Sequence, residues 1–131
     1  MRRRSWAAIL AAAGVLTGCR DPLGQPVCTA SWDPGVVVEM RDARTGAPIA
    51  DAARGSVRDG AYVDSLRPYG SLGPAPGTLY SRSAAHERVG IYSVEVLRDG
   101  YLPWTAEGVR VTRGVCHVRT QTLRADMTPV P

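Results

Sequence analysis

Three cysteines, two histidines, three tryptophans and five tyrosines are the side chains on which any chemistry of this 131-residue chain has to rest. A metal site would draw on Cys28, Cys116, His86 and His117. Cys116 and His117 are adjacent, however, and neighbours in a strand point to opposite faces. No Cys-x-x-Cys or His-x-x-x-His spacing exists, so no metal and no cofactor is expected and His117 reads as a solvent-facing strand residue. Nucleophilic catalysis needs a serine or cysteine beside an oriented base. Gly70-Ser71-Leu72-Gly73 falls one residue short of a Gly-x-Ser-x-Gly elbow and lacks its strand–turn–helix setting. A binding role is better served. Tyr101 and Trp104, in Tyr101-Leu102-Pro103-Trp104, form a candidate sugar-stacking platform, set against the alternative that Trp104 plugs a core. Arg67 to Gly77 is rich in proline and glycine and carries Tyr69 and Leu72, a candidate contact loop for a partner, set against the alternative of a solvated spacer.

Charge narrows the partners. The chain has 16 arginines, no lysine and 12 acids, for a net charge of +4. Three of those arginines, Arg2, Arg3 and Arg4, precede an apolar run of 12 residues from Ser5 to Leu16. A run of that length is too short to span a hydrocarbon core, which takes about 20 helical residues, and matches the apolar region of a signal peptide. Without those three arginines, 13 remain against 12 acids. A near-neutral chain has no electrostatic case for nucleic acid.

The apolar run ends in Leu16-Thr17-Gly18-Cys19, which resembles the bacterial lipobox. The resemblance implies a signal peptide over residues 1–18, lipidation of Cys19, and anchoring to the membrane of the cell envelope by that lipid. Each buried CH₂ contributes about 0.8 kcal/mol, so two or three acyl chains anchor firmly. Arg20 follows the cysteine where some bacteria use aspartate to retain a lipoprotein at the inner membrane. The periplasmic side of the outer membrane is therefore the expected address. With Cys19 assigned to lipid, Cys28 and Cys116 are left to pair in an oxidising compartment, or to remain as two free thiols. Closing so long a loop stabilises by roughly 4.5 kcal/mol at most in the chain-entropy model. A bonded Cys28 leaves Arg20 to Val27 as the tether, which keeps the domain near the headgroups.

The elements that must position these residues are strands. Residues 19–35 hold Pro22, Pro26 and Pro34 and read as tether and lead-in loop. Val36 to Arg41 alternates, with Val36, Val38 and Met40 facing in and Val37 out. Asp59-Gly60 and Asp99-Gly100 mark two tight turns. Ile91 to Leu97 predicts a strand with Tyr92, Val94 and Val96 in the core. Val109 to Val111 and Cys116 to Leu123 complete six or seven short strands in residues 36–131, and no window carries a helical stripe. The expected fold is all-β, an antiparallel β-sandwich.

Two stretches carry a further likeness. Val38-Glu39-Met40-Arg41-Asp42 followed by Thr45-Gly46-Ala47-Pro48-Ile49, and later Gly90-Ile91-Tyr92-Ser93-Val94 with Gly100-Tyr101, resemble carboxypeptidase regulatory-like domains. The resemblance covers Val36 to Leu123 and implies a transthyretin-like (prealbumin-like) sandwich of about seven strands, a non-enzymatic accessory module for stability or binding. The short tether suggests an envelope protein as partner, and Tyr101 with Trp104 a glycan. The transthyretin-like fold also hosts a ureide hydrolase. That family uses paired histidines and ends in Tyr-Arg-Gly-Ser, whereas this chain ends Asp126-Met127-Thr128-Pro129-Val130-Pro131. Fold does not give function.

Overall fold

A computed structural model describes residues 24, 26–72 and 79–131. The expected signal peptide, Cys19 and most of the expected tether from Arg20 to Val27 lie outside the described residues, as does the stretch 73–78.

Nine strands form among the described residues: β1 (Val36–Asp42), β2 (Arg54–Asp59), β3 (Tyr62–Ser65), β4 (Arg67–Leu72), β5 (Leu79–Ala84), β6 (Gly90–Leu97), β7 (Trp104–Arg113), β8 (Val118–Arg119) and β9 (Gln121–Met127). One sheet runs β4-β5-β1-β9 and the other β3-β2-β6-β7-β8. Pairing is antiparallel throughout except between β1 and β9, which run parallel. The two sheets enclose one apolar core, an all-β arrangement consistent with a β-sandwich. Both Asp-Gly turns appear where expected, with Gly60 and Gly100 in the positive-φ conformation a tight reversal demands. Tyr92, Val94 and Val96 from β6 are buried, facing Val36, Val38 and Met40 of β1 within the same core.

Some expectations change. Val37 is buried as well, because β1 is a central strand with β5 and β9 on either side. Arg67 to Gly77 is not one irregular loop: its first six residues are β4, paired with β5 across a register shift between Tyr69 and Leu72. Pro68 is tolerated there because β4 is an edge strand. The expected single strand from Cys116 to Leu123 is broken at Thr120, whose hydroxyl donates to the Pro34 carbonyl at 2.7 Å. There the chain leaves one sheet and joins the other.

The Thr45-Gly46 turn and the Gly100-Tyr101 pair meet at one side chain. Asp42 Oδ1 accepts the backbone N–H groups of Arg44 and Thr45 at 2.7 and 3.0 Å. Its other oxygen accepts the Tyr101 hydroxyl at 2.8 Å. That hydroxyl, with the Thr45 N–H next in weight, holds the Asp42 carboxyl below its ordinary value.

Candidate functional site

The chain passes between the sheets at Leu66, which is buried, and among the described residues β3 and β4 on either side of it are edge strands of opposite sheets. Between them lies a cleft of about 510 Å³. That volume is within the range of about 300–1,000 Å³ typical of small-ligand sites. Tyr62 and Asp64 from β3 and Arg67 and Tyr69 from β4 form its flanks. Ser83 of β5 and His86 of the following turn lie deeper, and Trp32 closes one side from the lead-in segment.

Each wall is held. The Arg88 guanidinium sits 3.9 Å from the Tyr62 ring centroid, covering one ring face. It is fixed in turn by Asp59 Oδ2 and the Tyr92 hydroxyl, both at 2.8 Å. Asp64 accepts the Ala85 N–H at 3.0 Å and pairs with Arg67 at 3.1 Å. Arg82 binds the crossing from behind, donating to the carbonyls of Ala50, Asp51 and Leu66. His86 lies on a turn whose flanking residues, Ala85 and Glu87, both have positive φ without being glycine. Such strain persists only where the surroundings over-determine it. Here the Asp64 carboxylate fixes Ala85, and Asp33 fixes Glu87.

Trp32 is 78% exposed, yet its backbone is pinned on both sides. Cys28 is bonded to Cys116, with Cα atoms 5.3 Å apart. The hydroxyls of Thr29 and Ser31 each lie 3.3 Å from His117 Nε2. His117 Nδ1 donates to Glu87 Oε1 at 2.8 Å, and the same oxygen accepts the Asp33 N–H at 2.8 Å. The Glu87 N–H returns a bond to the Asp33 carbonyl, and Gly35 N–H donates to Ala85 O, both at 3.0 Å. His117 is thus not a solvent-facing strand residue. It precedes β8, its side chain is 18% exposed, and it braces the lead-in segment. Sequence spacing could not reveal this, since Asp33, Glu87 and His117 come from three distant segments. Those three residues place one ligand atom each within 4.8 Å of one another. Their hydrogen bonds make them a brace between the lead-in segment and the turns after β5 and β7.

The Asp33 N–H, and after it the His117 imidazole, hold the Glu87 carboxyl below its ordinary value. A lowered folded value means that the contribution to stability is complete above the ordinary glutamate range and is lost as pH falls through the lowered one. Asp42 and Asp51 are lowered too and add to the same acid limb. Glu87→Gln is therefore expected to flatten part of the fall in melting temperature between about pH 6 and pH 3. Melting curves across that range check it, and a slope identical to wild type contradicts the brace.

The residues singled out from sequence separate into two groups. Tyr69 is 41% exposed and lines the cleft, on the strand that ends at Leu72. Tyr101 and Trp104 instead pack, half-buried, against the core, and the Tyr101 hydroxyl is committed to Asp42. Trp32, Tyr62, Asp64, Arg67 and His86 were not expected at a common site; only their convergence in space finds them. Among the described residues no helix is long and apolar enough to cross a membrane. The Cys28–Cys116 bond fits an oxidising, exported setting. No family model matches the chain, and no curated protein matches it.

Proposed function

We propose that this chain is an exported accessory module of the bacterial envelope, anchored through lipid on Cys19, which holds a ligand in the Trp32–Tyr62–Tyr69 cleft and catalyses no reaction. The transthyretin-like topology suggested by the carboxypeptidase regulatory-like motifs belongs to the same reading. The cleft is the observation that carries it: exposed aromatic rings with a few fixed polar groups between them are the ordinary composition of a binding site. Trp32, on a braced backbone, and Tyr69 leave aromatic surface exposed at the cleft that a bound partner would cover.

Ser83 and His86 raise hydrolysis as the competing reading, since Ser83 Oγ lies 3.5 Å from His86 Nε2. Ser83 is only 2% exposed, and the Asp64 carboxylate is held by Arg67 and the Ala85 N–H and makes no bond to His86 that would orient it as a base. A nucleophile needs access and an oriented base, so binding is favoured.

Two measurements test the proposal. Mass spectrometry of the N-terminal peptide is expected to find acylated Cys19; an unmodified thiol there, or a retained Met1, overturns the anchor. Incubation with p-nitrophenyl acetate is expected to give no turnover above a Ser83→Ala control. Turnover lost in Ser83→Ala but retained in Trp32→Ala replaces binding by hydrolysis.

A further inference from the structure

The cleft's chemistry points beyond binding in general to one class of ligand. Resting on the reading of the cleft as a binding site, we infer that its occupant is a neutral glycan, with a pyranose ring stacked between Trp32 and Tyr69 and its hydroxyls turned towards Asp64, Arg67 and His86.

Four classes of occupant can be compared against the lining. A wholly apolar ligand would desolvate Asp64 and Arg67 without replacing their water contacts, which is costly for charged groups. An extended peptide adding a strand at β4 meets Pro68, which has no N–H to offer that ladder. A proline-rich peptide would stack well on tryptophan and tyrosine, but proline supplies carbonyl acceptors and no backbone N–H. It would accept from Arg67 but has no hydrogen to give to the lone pairs that the Asp64 carboxylate keeps beyond its bonds to Arg67 and the Ala85 N–H. A sugar hydroxyl both donates and accepts. It can give its hydrogen to Asp64 while taking one from Arg67, whose side chain is 65% exposed beside that carboxylate.

The apolar half of the match is the rings. A pyranose presents a patch of C–H groups on its face, and that patch needs an aromatic plane open to solvent. Trp32 and Tyr69 are the large aromatics that remain exposed at the cleft, at 78% and 41%. Tyr62 cannot serve on both faces because Arg88 covers one of them. The opposed charges of Asp64 and Arg67 neutralise each other in their ion pair, so nothing in the lining selects an acidic sugar over a neutral one.

The test uses the mature protein with a Cys19→Ser substitution and reads intrinsic fluorescence. The mature chain holds only two tryptophans, Trp32 and Trp104. Cellohexaose and chitohexaose are titrated separately, with decaproline in parallel. Saturable change with either sugar, weakened about tenfold or more in Tyr69→Ala and in Asp64→Asn, is the expected result. Calorimetry with Trp32→Ala should show a similar loss, whereas Trp104→Phe should retain wild-type affinity. Circular dichroism of each variant separates lost binding from lost fold. Chitohexaose alone points to amino-sugar polymers as the source, and both sugars together to β-linked glycans generally. Saturable decaproline binding without sugar binding overturns the glycan assignment and leaves the cleft a binding site. No binding by any of the three overturns the assignment too, and sugar affinity unchanged in both Trp32→Ala and Tyr69→Ala removes it from this cleft.

Discussion

Replacing Cys28 and Cys116 together by serine is expected to lower the melting temperature by about 10–25 °C, a loss of roughly 2–5 kcal/mol. The bond closes a loop across 88 residues of sequence separation, so the unbonded unfolded chain gains far more freedom than a short loop would give. It also ties the lead-in segment to the turn before β8. The double variant leaves no unpaired thiol at either position, so oxidation does not confuse the comparison. Scanning calorimetry of both proteins, with and without reductant, gives the answer. A double variant that melts with the wild type would mean that the bond contributes nothing. Well below either melting temperature the double serine protein should still lose affinity at the cleft, because Trp32 lies four residues from Cys28. The brace through His117 and Glu87 remains in that variant, so the loss should be partial and should deepen when Glu87→Gln is added. Positioning of Trp32 is thereby separated from stability of the sandwich.

What the sequence discloses follows from where its strands place apolar residues. β6 was legible because Tyr92, Val94 and Val96 alternate with Ser93 and Glu95, and the first three are indeed buried. β5 was not. Its inward residues include Ser81 and Ser83, buried at 8% and 2%, so alternation of apolar and polar residues is lost. Those serines are tolerated because Ser81 donates to the Tyr69 carbonyl at 2.7 Å and Ser83 meets His86. β4 was hidden by its proline and its glycine, which signal a loop in sequence but here mark an irregular edge strand. The cleft lies against these two unread strands, which is why only Tyr69 among its residues was singled out for ligand contact, and His86 only as a candidate metal ligand. The cysteine pairing was legible once the lipobox resemblance set Cys19 aside, although two free thiols stayed open until the structure placed Cys28 against Cys116. The His117–Glu87–Asp33 brace was not, because no local spacing connects residues held together by tertiary contact.

Gly55→Ala is expected to destabilise by about 3 kcal/mol, at the upper end of what one inserted methyl costs in a packed site. The cause is space, not backbone conformation, since Gly55 lies within β2 and is not among the positive-φ glycines. A Cβ there would stand 2.2 Å from the Glu95 carbonyl oxygen and 2.8 Å from Leu66 Cδ1. The oxygen belongs to the backbone of β6, directly across the ladder, and cannot swing aside. Relief requires β2 to part from β6 near the Gly55–Val96 pair, or Leu66 to leave its buried position. Leu66 is also where the chain crosses between sheets, and its N–H donates to Gly55 O at 2.9 Å. Moving it would spread β3 from β4 and widen the cleft, so ligand affinity should fall together with stability. Gly60→Ala provides the comparison. A Cβ at Gly60 meets nothing within 4 Å, and the residue's φ of +58° is the only obstacle, costing about 1–2 kcal/mol. Urea unfolding of the two variants should therefore rank Gly55→Ala as the more damaging, and only Gly55→Ala should weaken binding at the cleft. A Gly55→Ala protein as stable as Gly60→Ala, with its affinity intact, would show that β2 and Leu66 yield without cost and that the crossing does not set the width of the cleft.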